Sequence, residues 1–440
     1  MRILIVGINF APELTGVGKY TGEMAAWLAR LGHSVTMVTA PPYYPSWQVG
    51  PGYRRWGWRR ERWKGCTVIR CPLYVPRRVS GIGRLIHVAS FSLSSIAAAI
   101  AAALRAKPDL VVAIAPTLMS SPVTLAIARL SGAKTWLHVQ DFEVEVAAQL
   151  DLFPYIGLRR VAVAFERYLL QRFNLVSSIS SKMVDRLVVK GAAKDRCVLF
   201  PNWVDIDAIR PIDHDNPLRR ELQLPEGRTI ALYAGSMGEK HGLEILIDAA
   251  RRLARADDAQ SASLLILVAG DGPERLRLQA LAQDLPNIRF IDLQPVERLN
   301  ELLNLADIHL LPQRADIADL VMPSKLGPML ASGRPVIATV APETQLSAAL
   351  AGSGVIVPPG DAAALVRAIQ RLIADPALRQ RLGRTARHQA ESELNAEQVL
   401  NQMEGRLRTL AGRGEPRYRD AALIAVAPVA EISAADPRGE

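Results

Sequence analysis

Two tandem α/β domains, each a doubly wound parallel sheet and both facing one cleft, are what this sequence predicts. Three observations carry that reading. The chain has 440 residues, too many for one hydrophobic core and suited to two of roughly 200 residues each. Short apolar runs alternate with helical stretches along most of its length, as in parallel strands joined by crossover helices. The alternation breaks once, at PNWVDIDAIRPIDHDNP from Pro201 onward, a Pro-, Asp- and Asn-rich stretch that reads as a linker.

In the first domain the predicted strands are Ile3–Gly7, Val35–Thr39, Thr67–Cys71, Leu110–Ile114, Thr135–Val139, Leu175–Ser178 and Cys197–Phe200. Helices lie between most of them, for instance Thr21–Arg30, Thr124–Leu130 and Val161–Gln171. The second set of strands is Ile230–Ala234, Leu264–Ala269, Ile288–Ile291, Ile308–Leu311, Val336–Ala338 and Val355–Val357. The expected boundaries are a first domain over 1–200, a linker over 201–225 and a second domain over 226–390. A C-terminal helix at 391–412 can return to the first domain, and 413–440 reads as a loose tail.

A composition of 49% hydrophobic and 22% charged residues excludes a disordered chain. Cys66, Cys71 and Cys197 fall in no metal-ligand spacing and suit a reducing cytosol, so no metal site is expected. The N-terminus MRILIVGINF has too short an apolar run for a signal peptide and reads as a strand.

The net charge of +10 is uneven: residues 1–200 carry +15 and the remainder −5. A basic half implies an anionic partner, whether nucleic acid, membrane surface or phosphorylated substrate. Between Arg54 and Arg84 ten basic residues meet one acid, Glu61, with Trp56, Trp58 and Trp63 interleaved and Tyr43, Tyr44, Trp47 and Tyr53 just ahead. That is a membrane-interface composition; it also fits nucleic acid, and a solvated loop would carry the same letters. Without a recognisable nucleic-acid module, no nucleic-acid partner is expected. Trp56, Trp58, Arg59, Arg60 and Trp63 are read as an acceptor or membrane surface. Leu85–Leu104 is uncharged for 20 residues, long enough to span a bilayer. It contains His87, is rich in Ala and Ser, and lies where a crossover helix is needed, so a packed or interface-lying helix is expected.

Four turns carry candidate chemistry. In FAPELTGVGKY, Gly16 and Gly18 let backbone approach a ligand ahead of a helix; with Gly22 the spacing is one residue too long for the dinucleotide fingerprint. YAGSMGEKHG repeats the device with Gly235, Ser236 and Lys240, where a lysine can neutralise a diphosphate. AGDGPER supplies Gly270, Asp271 and Gly272, the aspartate suited to a ribose or base. In DLVMPSKLGPMLASGRPVIAT, Pro323 opens a short helix whose start carries Ser324 and Lys325, a ready anion site. A plain turn or capped helix with a solvated lysine explains each one separately; three at strand ends of one sheet point to a phosphorylated ligand.

The segments PELTGVGKYTGEMAAWLARLGHSVTMVT, LHVQD, PNWVD, YAGSMGEKHGLEILIDAA, AGDGPER and DLVMPSKLGPMLASGRPV together resemble family 4 glycosyltransferases of the two-domain, Rossmann-like GT-B fold. The likeness covers nearly all of residues 1–412 and is nearest the colanic-acid-type exopolysaccharide branch. The resemblance implies a hexosyltransferase moving a sugar from a nucleotide diphosphate sugar with retention and without an essential metal or other cofactor. The donor would sit on the second domain and a lipid-linked or glycan acceptor on the first, at the inner face of the cytoplasmic membrane. It also makes His138 the first catalytic candidate, facing the cleft, with Asp141 orienting it or binding the acceptor hydroxyl; a satisfied buried histidine is the other reading of His138.

Two departures stand out. The family's glutamate pair aligns with Leu320 and Pro328, leaving Asp319 as substitute or turn cap. Ser236 stands for the family's arginine and His241 for its lysine, so Lys240 and Lys325 are expected to clamp the diphosphate. Asn202 and Asp205 either meet ligand or make the linker turn. The rival readings are a non-hydrolysing nucleotide-sugar epimerase and an inactive donor-binding subunit.

Overall fold

The computed structural model describes residues 1–77, 81–116, 118–149, 155–212, 216–256, 263–314 and 323–414. Asp319 and Leu320 lie outside the described residues, as does the tail from 415.

The first sheet contains β1 (Arg2–Val6), β2 (Ser34–Thr39), β3 (Arg59–Trp63), β4 (Cys66–Arg70), β5 (Leu110–Ala115), β6 (Lys134–Val139), β7 (Leu175–Ser178) and β8 (Cys197–Leu199). Their spatial order is β3-β4-β2-β1-β5-β6-β7-β8. The second sheet holds β9 (Thr229–Ala234), β10 (Leu264–Ala269), β11 (Ile288–Ile291), β12 (Ile308–Pro312), β13 (Val336–Thr339) and β14 (Gly354–Val357), in the order β11-β10-β9-β12-β13-β14. In each sheet the direction of winding reverses beside the first strand: at β1 and β5, and at β9 and β12. Ligands of open α/β sheets bind outside the strand ends at such points.

The strand that the sequence reading missed is β3, RRERW, antiparallel to β4. It is the outermost strand and needs no buried face, so charge conceals it in the sequence while protecting the edge from further pairing.

Alternate residues of β1 feed two cores. Ile3 and Ile5 pack with Met24 and Leu28 of helix Gly16–Arg30, whereas Leu4 and Val6 pack with Phe91, Ala98 and Ala99 of helix Gly81–Ala106. On that second face, helices Gly81–Ala106, Ser121–Ser131 and Ile156–Leu170 form one layer. Its outside is apolar: Ile82, Leu85, Leu93, Ile100, Leu130, Ile156, Val161 and Phe165 are exposed. The layer carries six arginines and a single acid, Glu166, which is buried against Lys190 at 2.6 Å.

The chain crosses between domains twice, side by side. Val204 bridges Asn395, with the Val204 amide donating to the Leu394 carbonyl at 2.8 Å and the Ala396 amide to the Val204 carbonyl at 3.0 Å. Helix Ala396–Leu410 then sinks Val399, Leu400, Met403 and Leu407 into the first domain's core. A buried pair, His33 Nε2 to Glu404 Oε1 at 2.9 Å, ties it down.

Candidate functional site

At the C-terminal end of β9, burial raises the Tyr233 phenol, which stays protonated and donates to the Ser236 carbonyl at 2.6 Å. Its oxygen accepts from Lys325 Nζ at 3.1 Å, and that ammonium lies 4.3 Å from the ring centroid. A strand residue thus props the lysine over the Gly235–Ser236 turn. A Cβ on Gly235 would come within 3.1 Å of Nζ, so glycine keeps the space between cation and backbone open.

The Gly270–Gly272 turn backs this one. Gly235 N–H donates to the Ala269 carbonyl at 3.0 Å and Met237 N–H to the Asp271 carbonyl at 2.8 Å. Gly270 and Gly272, at φ 140° and 154°, press their α-carbons on the backbone of Gly235 and Met237, where no side chain fits. Their role is close packing of two loops. Asp271 is exposed, and its Oδ1 accepts from Gly272 N–H at 2.8 Å. Ser236 is exposed and its hydroxyl meets His241 Nε2 at 3.1 Å. Lys240 lies in the 3-10 turn Glu239–His241; its side chain is outside the described residues. Arg314, just past β12, pairs with Glu239 at 3.4 Å and packs its stem against Gly242, adding a cation that the sequence reading missed.

Ser324 is exposed, one residue ahead of the N-cap position of helix Leu326–Ala331, which Lys325 occupies. The Ser324 carbonyl accepts from Tyr20 of the first domain at 3.4 Å, so the lysine-bearing segment touches the opposite wall of the cleft. Pro328, in the position of the second family glutamate, is within that short helix. Neither Tyr20 nor Tyr233 was legible as a site residue; each reads as an ordinary core aromatic.

On the first domain several expectations are corrected. His138 is buried. It is 3% exposed, with Nδ1 on Ser177 Oγ at 2.8 Å, Nε2 on Gln140 Nε2 at 3.0 Å, and its ring 5.0 Å from Phe200. Burial lowers its pKa to about 3, so it is a neutral, satisfied core histidine whose two nitrogens are already engaged. The Tyr44 phenol is raised chiefly by burial and then by the Asp141 carboxylate. Gln140 also donates to Asn202 Oδ1 at 3.2 Å. Asp205 makes the linker turn, its Oδ1 accepting from Asp207 and Ala208 N–H at 3.1 and 2.9 Å.

Gly18 lies inside helix Gly16–Arg30 and faces an internal group, the Glu13 carboxylate, which a Cβ there would strike. It leaves the set of ligand contacts; Gly16 keeps the turn, at φ 61° beside Tyr44. Trp63 is half-buried, edge-on to Phe10 at 5.1 Å, and leaves the surface set too. Trp56 and Trp58, 67% and 59% exposed, and the exposed Arg59 and Arg60 remain outside. Arg70 of the same basic run is buried, held by Glu61 at 2.8 Å.

Comparison with known proteins fits this layout. A family described as "Glycosyl transferase 4-like domain" matches residues 15–203, and one described as "Glycosyl transferases group 1" matches 215–389. WcaI of Escherichia coli (strain K12), named as a colanic acid biosynthesis glycosyl transferase, is 42% identical over 412 residues, 91% of this chain and 98% of its own. In fold, sucrose-phosphate synthase from Thermosynechococcus elongatus aligns at a TM-score of 0.71 and 21% identity, covering 94% of this chain and 100% of that one. Anabaena HepE in complex with UDP-glucose aligns at 0.65 and 16%, covering 93% and 100%. Two α/β domains meeting at a lysine-bearing turn, and a relative this similar along almost its whole length, lead to one assignment: the chain belongs to the family 4 glycosyltransferases of GT-B fold.

Proposed function

We propose that this enzyme moves a hexosyl group from a nucleotide diphosphate sugar to a lipid-linked or glycan acceptor in cell-surface polysaccharide biosynthesis. The observation that carries the donor half is Lys325, propped by Tyr233 over the Gly235–Ser236 backbone with Gly270–Gly272 packed behind. When the sugar–phosphate bond breaks, negative charge grows on the departing diphosphate. A fixed ammonium held there stabilises it without reorganising. Lys240 and Ser324 stand at the same turns. Asp319 is retained as a candidate only through the resemblance. Retention and independence from metal are part of this reading through the resemblance alone, with charge stabilisation coming from the protein's own cations.

The acceptor half of the proposal places the protein peripherally at the cytoplasmic membrane face. It is supported by the apolar, arginine-rich helical layer of the first domain together with exposed Trp56 and Trp58. Apolar side chains beside arginines, without exposed acids, suit the boundary of anionic lipid.

Thermal-shift binding against UDP-, GDP-, dTDP- and CMP-sugars tests the donor site. One nucleotide should stabilise wild type and not Lys325→Ala, with EDTA making no difference. Stabilisation by none would sink the donor reading in favour of an inactive subunit, and conversion of the bound sugar nucleotide to its epimer without acceptor would favour an epimerase. Flotation with vesicles rich in anionic phospholipid tests the membrane face, which would be wrong if the protein stayed in the soluble fraction.

A further inference from the structure

One buried carboxylate lies on the first domain's turn, away from Lys325 and the Gly235 turn. Glu13 is 6% exposed, on the loop between β1 and helix Gly16–Arg30. Its Oε1 accepts from the backbone N–H groups of Tyr43 and Tyr44, each at 3.1 Å, and its Oε2 from Asn9 Nδ2 at 3.0 Å. Burial raises its pKa, opposed by those hydrogen bonds and by the more distant Arg70. Burying a carboxylate is costly unless its hydrogen bonds are replaced, and three donors replace them here. The burial therefore has a purpose, and the geometry shows what it fixes.

The loop after β1 is stitched to the loop after β2 twice. Arg70, held by Glu61, donates to the Ala11 carbonyl at 2.6 Å and the Ala40 carbonyl at 3.0 Å. Glu13 captures the next two amides of the second loop. Tyr43 is thereby sunk against His87 and Trp47, at ring separations of 4.5 and 5.6 Å, while the following Tyr44 remains 38% exposed beside Gly16. An exposed aromatic face beside a glycine turn is chemistry for a saccharide: the C–H face of a pyranose rests on the ring.

We propose that Tyr44 forms the seat of the acceptor's sugar, and that Glu13 is the residue that positions it. This rests on the reading of the first domain as the acceptor side. Glu13 touches no substrate; it sets where the Tyr44 ring stands.

Pro41, Pro42 and Pro45 have no amide hydrogen, so exchange over residues 41–45 reports Tyr43 and Tyr44 alone. Hydrogen exchange of this segment in the full chain should be slow in wild type and in Glu13→Gln, which keeps the accepting oxygen. It should be at least tenfold faster in Glu13→Leu. Unchanged exchange in Glu13→Leu would overturn the positioning role.

Transfer is then measured with the sugar nucleotide that stabilises wild type and a bacterial lipid extract as acceptor. Glu13→Leu and Tyr44→Ala should raise the acceptor KM at least tenfold, while calorimetry with the free nucleoside diphosphate stays within twofold of wild type. An unchanged acceptor KM in Tyr44→Ala, a surface change that does not threaten folding, would overturn the sugar seat. Loss of nucleotide binding in these variants would overturn it as well, by moving them to the donor side. Failure of wild type to bind any nucleotide would fault the donor reading alone, and exchange would still decide the role of Glu13.

Discussion

Both domains begin with a strand running into a glycine turn and then a helix, yet the two turns are filled differently. In the first domain the turn holds its own anion, the Glu13 carboxylate, seated on Gly18 and hydrogen-bonded to the neighbouring loop. In the second it carries a cation, Lys325, leaning over Gly235 from a segment about 90 residues later and propped by a phenol. An occupied turn organises a wall; a cation held over a turn is suited to a phosphate. Under the proposed function, the same backbone device serves acceptor and donor sides by the sign of the side chain placed against it.

The largest effect should come from testing the glycines themselves. Gly270→Ala places a methyl on the Gly235 carbonyl at a φ of 140°, and backbone cannot yield. A loss of about 3 kcal/mol is expected, a fall in Tm of roughly 6–12 °C, with nucleotide binding abolished. Gly18→Ala instead meets a side chain, so about 1–2 kcal/mol is expected, with nucleotide binding retained. Equal losses in calorimetric scans would break the contrast between a packed donor turn and a filled acceptor turn.

Acid should separate the domains next. Burial lowers His138 to about 3 and His87 to about 4, and also lowers His33, all in the first domain; His309, to about 3, is the corresponding group in the second. A folded pKa below the unfolded value near 6.5 means stability is complete above that pH and lost as pH falls toward the folded value. At pH 5.5 His138 and His87 each cost about 1 kcal/mol relative to pH 7.5, so the first domain's transition should move to lower urea by more than the second's. Parallel movement of both transitions between pH 7.5 and 5.5 would count against this.

Lys325→Met keeps the stem over Tyr233 and removes the charge. Nucleotide affinity should fall about 10- to 100-fold by calorimetry, the range of a charged hydrogen bond, with little change in unliganded Tm. Affinity within twofold of wild type would mean that the cation does not meet the ligand.

How much of this was legible varies with the kind of interaction. The parallel strands were, because strands buried on both faces write continuous apolar runs. Lys325 was, because a lysine at a helix start is a local signal. The charged edge strand β3 was not, since four of the five residues of RRERW are charged and its inner face is only half-buried. Nor was the fate of His138: whether a histidine at a strand end opens to a cleft depends on Ser177 and Gln140, and the sequence does not say that they meet it. Glu13 sits in a polar turn that reads as exposed, and only the folding of the Tyr43–Tyr44 loop over it makes it a buried anchor.

The smallest effect is the one that links the two turns. Tyr20, in the helix that follows the first turn, donates across the cleft to the Ser324 carbonyl at 3.4 Å, and its ring is packed edge-on against Trp203 at 5.2 Å. Removing the hydroxyl in Tyr20→Phe leaves that packing and deletes one long, neutral hydrogen bond, worth about 0.5–1 kcal/mol. If the two turns act separately, nucleotide affinity should change no more than two- to threefold. A loss beyond tenfold would mean that the first domain's helix holds Lys325 in place for the donor, and that the division into an acceptor turn and a donor turn is too simple.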